Sequence, residues 1–429
     1  MTGATHSVCI VADDLTGAMD TSQGFAVRGY GTSVVAVPPE QPDQLDQPPD
    51  SPILGVNTDT RYDDAAAAAD VVTEVVNAVP AETVYKKVDS TLRGNVRVET
   101  DAALTASGAD LALVAPAFPA AGRTTRDGVH YVAGTRLEET EYADDEKGPS
   151  SPKLTAVFES DDRAVEQISI DVIESGRDQV AAALTAAVQR HDRPPVVVCD
   201  AQTTEDLATI ADAGSDLDTL YVGSGGLAEH VAVKGVAGRT SQSSTAVGPG
   251  SPLAVVGSVS ATTLAQLKQV PATAVVELDP IDLLTEPASE EDASRAADRL
   301  ADGRPAVLTA ATDRETVERT VKEGEARDLE PGEIRKRIAS GLAATAAAVV
   351  ESQSPSGLFY TGGDVAVAGL RSLDATTVTL TGDAVTAGIP VGRLADGAAS
   401  GTPLVTKAGG FGSEGTIVNC LEYLSGNDE

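Results

Sequence analysis

Short apolar runs alternate with helical patterns from one end of the chain to the other, and this alternation restricts the fold more than any other feature. VCIVA (8–12) reads as a buried strand. After it, Leu15, Ala18, Met19, Ser22, Phe25 and Ala26 recur at helical spacing, and Gly29 and Gly31 close the segment. TSVVAV (32–37) and ILGVN (53–57) give the next strands, followed by an Ala-rich helix around 63–78. TVYKKVD (83–89), LALVAPA (111–117), PVVVCD (195–200) and TLYVG (219–223) continue the series. Strand, helix and strand in short order make βαβ units and a mainly parallel sheet.

The pattern breaks at 236–252, VAGRTSQSSTAVGPGSP, where Gly, Ser, Thr and Pro without periodicity mark a linker. It then resumes with PLAVVGS (252–258), AVVEL (274–278), PAVLT (305–309), a long helix near 332–351, GLFYT (357–361), TTVTL near 377–381 and PLVTK (403–407). No internal repeat is present. At roughly one domain per 100–200 residues, the 429-residue chain is expected to form two α/β domains, 1–245 and 250–429. Each is expected to be a mainly parallel sheet flanked by helices, with the active site in the cleft between them. The acid-rich stretch 136–163, with Gly and Pro, is expected to be a loop or insertion at the rim of the first domain.

Hydrophobic residues make up 41% of the chain but aromatics only 3%, so the core must rest on Val, Leu, Ile and Ala. The 65 acids against 31 bases give a net charge of −34. The acids are spread among apolar strands, which excludes an acidic tail or a disordered chain and implies a globular fold with an acidic surface. Such a surface keeps proteins hydrated and apart in concentrated salt, so a halophilic source is expected. Nucleic acid and anionic membranes, which need a basic face, are excluded as partners. Cys9, Cys199 and Cys420 are isolated within apolar runs, which suits small buried side chains in a reducing cytosol. Neither a signal segment nor a run of roughly 18 apolar residues is found, and a cytoplasmic protein is expected. Homo-oligomerisation is left open.

Ligands of parallel α/β sheets sit outside the carboxyl ends of the strands, so the residues after each strand carry the chemistry. After the first come Asp13 and Asp14, with Thr16 and Gly17 opening the helix. A helix cap explains one acid and not both; the other reading is a general base, or an acceptor for substrate hydroxyls. KKVDSTLRGN places Lys86, Lys87, Asp89, Ser90, Thr91, Arg93, Gly94 and Asn95 together. Cations and hydroxyls so close suit a sugar acid, with Arg93 offering a planar fork to its carboxylate. An Asp89–Arg93 helical pair is the plainer alternative. PAFPAAGRTTRDGVH repeats the theme with Arg123, Thr124, Thr125, Arg126, Asp127 and His130.

The second half differs. GSVSATT (257–263), TGGD (361–364) and KAGGFGSEG (407–415) put small residues between a strand and the next helix, where backbone N–H groups can approach phosphate oxygens. Three such loops suggest a nucleotide triphosphate bed. No G-x-x-x-x-G-K-[ST] P-loop occurs. GSGGLA (223–228) resembles a dinucleotide fingerprint but lacks the acid about 20 residues later.

ADDLTGAMD, KKVDSTLRGN and PAFPAAGRTTRDG, with DAQTTEDL (200–207) and VGSGGLA (222–228), resemble the N-terminal domain of the four-carbon acid sugar kinase family. GSVSATT, TGGD and KAGGFG resemble its nucleotide-binding domain, so the likeness spans nearly the whole chain. The resemblance implies phosphorylation of threonate, erythronate or an oxo-tetronate by ATP with Mg²⁺. It places Asp13, Asp14, Thr16 and Gly17 at the sugar-acid site, with Asp14 the favoured base and Asp13 second. Asp89, Ser90, Thr91, Arg93, Arg123 and Thr124 bind substrate. Ser258, Thr361, Gly362, Gly363 and Asp364 hold ATP, with Gly409 and Gly410 near the phosphates. Two departures occur: Gly-Gly-Phe-Gly (409–412) where Gly-Asn-Phe-Gly is usual, and Asp364 where Glu is commoner. Metal ligands are not assigned. The rival readings are an NAD(P)-dependent dehydrogenase of a small hydroxy acid, using GSGGLA, and a non-catalytic sugar-acid or nucleotide sensor.

Overall fold

The computed structural model describes residues 6–38, 48–236, 238, 247–285, 288–386 and 388–426, which fall into two compact units, Met1–Ser241 and Gln242–Glu429. Most of the expected linker (237 and 239–246) lies outside the described residues.

In the first unit β1 (His6–Ala12), β2 (Thr32–Val35), β3 (Ile53–Asn57), β4 (Ala81–Lys87) and β5 (Leu111–Ala115) alternate with helices Leu15–Ala26, Ala65–Ala78 and Val96–Ser107. A small antiparallel sheet follows, β6 (Arg123–Arg126), β7 (Val129–Val132) and β8 (Thr135–Arg136). Then come β9 (Val165–Ile168), β10 (Val196–Cys199) and β11 (Thr219–Gly223). The main sheet runs β2-β3-β1-β4-β11-β5-β10-β9 with every pairing parallel. β1 is buried on both faces. Cys9 and Val11 join a core with the helices 65–78 and 96–107, while Val8 and Ile10 join Phe25 and the helices 177–190 and 204–214 on the other side.

In the second unit β12 (Leu253–Val256), β13 (Val275–Glu277), β14 (Ala306–Thr309), β15 (Leu358–Thr361), β16 (Thr377–Thr386), β17 (Ile389–Leu394) and β18 (Pro403–Lys407) form the order β13-β14-β12-β15-β18-β17-β16. The pairings are parallel as far as β18 and antiparallel beyond it.

The expected α/β architecture holds in both units. β9 was not expected, because VEQI is a partly exposed edge strand with polar residues in an apolar rhythm. β17, in a β-hairpin with β16, escaped the search for strand–helix alternation. The stretch 136–163 packs more than a rim loop would: Leu137, Leu154 and Phe158 are buried in the core.

The strand alternation of β4 separates the two lysines. Lys86 points to the helix 96–107, where its Nζ meets Glu99 Oε2 at 2.8 Å, both side chains nearly inaccessible. Thr60 Oγ1 donates to Glu99 Oε1 at 2.8 Å. Lys86 is thus spent inside the fold and does not join an anion clamp. Because truncating one partner leaves a buried charge uncompensated, Glu99→Ala is expected to cost about 3–5 kcal/mol. The pair Lys86→Met with Glu99→Leu should recover most of that loss. Urea unfolding at fixed salt measures both; equal losses in the single and double variants would refute the account.

Candidate active site

In the first unit the chain runs from β1 out to β2 and back to β3 on one side and then crosses to β4 on the other, so loops diverge at the carboxyl end of β1, where parallel sheets open a crevice. Asp13 and Asp14 leave β1 there. Asp14 is the N-cap of the helix 15–26: Oδ1 accepts from Gly17 N at 3.1 Å and Oδ2 from the Thr16 hydroxyl. The second acid is explained by a residue that sequence reading missed. Arg61 Nε donates to Asp13 Oδ2 at 2.8 Å and Nη2 to Asp13 Oδ1 at 2.9 Å, and Nη2 also reaches Asp14 Oδ1 at 2.7 Å. Burial would raise Asp13, but Arg61, Lys86 and Lys87 outweigh it and hold the carboxyl below its ordinary value. Of the two, Asp14 keeps more side-chain exposure, 14% against 3%.

The loop after β4 closes over this pair. Leu92 at φ 59° and Gly94 at φ 95° turn the backbone, and a Cβ on Gly94 would lie 2.8 Å from Asp13 Oδ2. Asp89 Oδ2 accepts from Thr91 Oγ1 at 2.5 Å and Arg93 Nε at 2.6 Å. Burial opposes its charge, yet Arg93, Arg61 and Lys87 hold it well below the carboxylate range. Arg93 therefore forms the plainer pair with Asp89, in the loop after β4 and not within a helix, and its Nη1 lies 3.8 Å from Asp145 Oδ2; it also stacks 5.3 Å from the Tyr142 ring centroid and keeps 24% exposure.

His130 braces the loop. Its Nε2 lies 2.9 Å from Ser90 O and its Nδ1 2.9 Å from Thr125 Oγ1. A carbonyl can only accept, so Nε2 carries the proton and Nδ1 accepts from the threonine. Burial, with Arg123 nearby, pushes the imidazole down to about 4. The buried Arg123 lies on β6, where its Nη1 donates to Ala121 O, and Thr124 pairs with Tyr131 across the hairpin. Asp200 pins the hairpin turn by accepting from Asp127 N at 3.0 Å and Gly128 N at 2.8 Å.

Lys87, on the opposite face of β4 from Lys86, is the buried cation here that makes no ion pair among the described residues. Its Nζ would lie 2.7 Å from a Cβ built on Gly17, and that Cβ would lie 2.5 Å from Asp14 Oδ1, so only glycine leaves both groups in place. Asp13, Asp20 and Asp89 act on it at longer range. The arrangement offers carboxylate acceptors, hydroxyls and an uncommitted ammonium at one strand-end crevice.

GSGGLA does not offer a dinucleotide cradle. Residues 223–228 are all buried, and Cβ atoms on Gly223, Gly225 and Gly226 would meet Ala115 O at 2.7 Å, Asp20 Oδ2 at 2.5 Å and Ala117 O at 3.0 Å. These glycines serve close packing.

The second unit reverses its strand order between β12 and β15, and β18 lies next to β15, so the three glycine-rich loops emerge side by side. Ser258 N and Gly257 N donate to Thr361 O at 3.0 Å. Gly362, at φ 103°, caps the helix Gly363–Ser372, and Asp364 is exposed in its first turn. A Cβ on Gly409 would lie 2.4 Å from Ser258 Oγ, so these two loops touch. Ser258, Thr361 to Asp364, Gly409 and Gly410 thus occupy one edge, while Asp13, Asp14, Thr16, Gly17 and 89–93 occupy one edge of the first unit. Sequence reading passed over Arg61 and Lys407. NTDTR after ILGVN carried for Arg61 the same strand-end signal used elsewhere.

Residues 8–231 match the model of a sugar-binding N-terminal domain, and residues 253–417 that of a nucleotide-binding C-terminal domain. The chain is 34% identical to a D-threonate kinase of Bordetella bronchiseptica, over 97% of this chain and 96% of that one. It is also 34% identical to a D-erythronate kinase of Heliobacterium modesticaldum, over 97% of each. The fold is shared with a Salmonella typhimurium crystal structure described as a putative tRNA synthase, at TM-score 0.77 and 21% identity, over 97% of this chain and 99% of that one.

The neutral state of His130 has a measurable consequence. Unfolding returns the imidazole from about 4 to near 6.5, so the unfolded chain binds the extra proton between those values. Stability should therefore fall as pH drops through that window, by up to roughly 3 kcal/mol from this group. Urea unfolding of His130→Gln across the same range should lack that component; an unchanged pH slope would refute it.

Proposed function

The chain belongs to the four-carbon acid sugar kinase family, and we propose that it transfers the γ-phosphate of ATP to a hydroxyl of threonate, erythronate or an oxo-tetronate. The observation that carries this reading is the division of chemistry between the units. One strand-end crevice gathers carboxylates, hydroxyls and the uncommitted Lys87, and the other gathers three adjacent glycine-rich loops.

Asp14 is the proposed base. Three donors occupy its carboxylate, which leaves an acceptor position on Oδ2 for the substrate hydroxyl. Arg61 fixes its orientation. Arg93 and Lys87 face the substrate carboxylate, and Thr16, Asp89, Ser90, Thr91, Arg123 and Thr124 supply the remaining contacts. Gly17 gives room. Ser258, Thr361, Gly362, Gly363 and Asp364 hold the nucleotide, with Gly409 and Gly410 at the phosphates. The hydroxyl oxygen bonds to the γ-phosphorus as its proton passes to Asp14, and the bond to the bridging oxygen breaks to release ADP. Positioning and charge neutralisation carry most of the rate, and transfer requires the two ligands to meet with water excluded.

Among the described residues no group of three His, Cys, Asp or Glu side chains could hold a metal. Mg²⁺ usually keeps several waters and binds through substrate phosphates with one or two carboxylates, and Asp364, exposed in the first turn of the helix Gly363–Ser372, is the carboxylate that would face it. Bound there, the ion would neutralise phosphate charge. No described helix is long and apolar enough to cross a membrane; a cytoplasmic enzyme working in high salt is part of the proposal.

The test is ADP release in high KCl with Mg-ATP across D- and L-threonate, D- and L-erythronate and their oxo forms. Release with one acid and not its epimers is expected; silence with all, from folded protein, would overturn the reading. Asp14→Asn should lower turnover by about 10²–10⁴-fold. Near-normal turnover in that variant would remove Asp14 as the base.

A further inference from the structure

Lys407 ends β18 and is completely inaccessible to solvent. Its Nζ lies 3.0 Å from Ala408 O, 3.2 Å from Gly409 O, 3.4 Å from Phe411 O and 3.1 Å from Thr263 Oγ1. Among the described residues it makes no ion pair with a carboxylate. A buried ammonium without a counter-anion is costly, and a fold keeps one only where something repays it.

The carbonyls it gathers belong to the loop after β18. Gly409 O accepts also from Ser260 Oγ at 2.8 Å and Thr263 Oγ1 at 3.0 Å, and Phe411 O from Gln266 Nε2 at 3.0 Å. In a trans peptide the N–H points opposite to the carbonyl of the same unit, and no cis peptide bond occurs among the described residues. With the carbonyls of Ala408, Gly409 and Phe411 drawn inward, the N–H groups of Gly409, Gly410 and Gly412 are turned outward. None of the three donates a hydrogen bond within the described chain, whereas Phe411 N closes the turn onto Ala408 O at 3.2 Å. Gly412 holds φ at 85°, which a side chain would oppose.

We propose that Lys407 is a positioning residue for the nucleotide, its ammonium drawing the 408–411 carbonyls inward so that three outward amides receive phosphate oxygens, and its unpaired charge being completed by those phosphates. This rests on the kinase reading and adds to it a residue that touches neither substrate. The Asn-to-Gly departure at position 410 fits: the bed is made of backbone, which a missing side-chain amide does not alter.

The charge state of Lys407 supplies the distinguishing readout. Burial pushes its ammonium down to about 8. The titratable group that acts on it is the Cys420 thiol in the helix Thr416–Leu424, which burial drives up to about 12, and burial also raises the Tyr360 phenol of the adjacent β15; the other charged or titratable side chains nearby in the chain are Glu422 and Tyr423 on that helix, Glu414 in the loop and Arg393 on β17. Neither the thiol nor the Tyr360 phenol changes charge where Lys407 does. Phosphate takes its last proton at a pKa of about 6, so ATP is fully ionised there as well.

The experiment is calorimetric binding of Mg-ATP, without sugar acid, from about pH 7 to pH 9.5. Wild-type affinity should stay flat up to about pH 8 and then fall by up to tenfold per pH unit, because binding then requires uptake of the proton. Lys407→Met should bind at least about tenfold more weakly at pH 7.5 and without that pH dependence. Its KM for the sugar acid should match wild type while its KM for ATP rises. A flat wild-type profile, or a variant that binds and titrates like wild type, would overturn the proposal. The wild-type profile decides the matter if Lys407→Met does not fold. Wild-type protein that binds no ATP at any pH would instead remove the kinase reading itself.

Discussion

One guanidinium makes the first unit's site possible. Asp13 and Asp14 are consecutive acids at the carboxyl end of a fully buried strand, and without a cation between them their charges would oppose each other at close range. Arg61 reaches both, bidentate on Asp13 and through Nη2 on Asp14. Burial alone would disfavour its charge, but Asp13, Asp14 and Asp89 hold it in place. Each end of the contact is pinned separately: Asp14 by its cap on the helix 15–26, and the loop carrying Arg61 by Asn95 Nδ2, which donates to Thr60 O at 3.1 Å. Gly94 must lack a side chain because Asp13 stands against it. Loops after three adjacent strands, β3, β1 and β4, are thereby fixed to one another.

Much of this was open to reading from the chain. The strands 53–57, 219–223 and 403–407 appear at their expected bounds, because a run buried on both faces is uniformly apolar and its ends are marked by polar or glycine residues. β9 was hidden because an edge strand faces two environments and loses that uniformity, whereas β17, buried along nearly its whole length, was passed over because Pro and Gly interrupt IPVGRL. In the site, the acids and glycines were visible, since each sits at a strand end. Their partners were not. Arg61 lies 48 positions from Asp13, and Glu99 sits inside an ordinary amphipathic helix, so only the tertiary fold shows which cation is spent on which acid. That assignment matters: of the two adjacent lysines 86 and 87, strand alternation commits the first to Glu99 and leaves the second uncommitted.

The sites proposed for the two units would bind anions differently. The first uses side chains whose charges are balanced almost pair by pair, so that a small anionic sugar acid meets defined acceptors and few spare cations. The second is proposed to rely on backbone amides, with Lys407 buried beneath the loop. A sugar acid needs discrimination among hydroxyls, which fixed carboxylates and hydroxyls provide through hydrogen-bond geometry. A triphosphate presents much the same oxygens in every nucleotide, and an amide bed recognises them without selecting a base.

The chain also separates its charges in space. The net charge of −34 comes from acids such as Asp162 and Asp178, whose side chains are 84% and 91% exposed, whereas Arg61, Lys86, Lys87 and Lys407 are buried. Screening acts on these populations unequally. At molar salt the Debye length is about 3 Å, short enough to cancel repulsion between surface carboxylates, while buried pairs at hydrogen-bond distance are screened far less. Both proposed ligands are anions approaching an acidic surface, so low salt opposes their encounter and high salt relieves it. Salt can therefore raise the rate of encounter without weakening the contacts that hold the ligands once they arrive, because those contacts lie at strand ends beneath the charged shell.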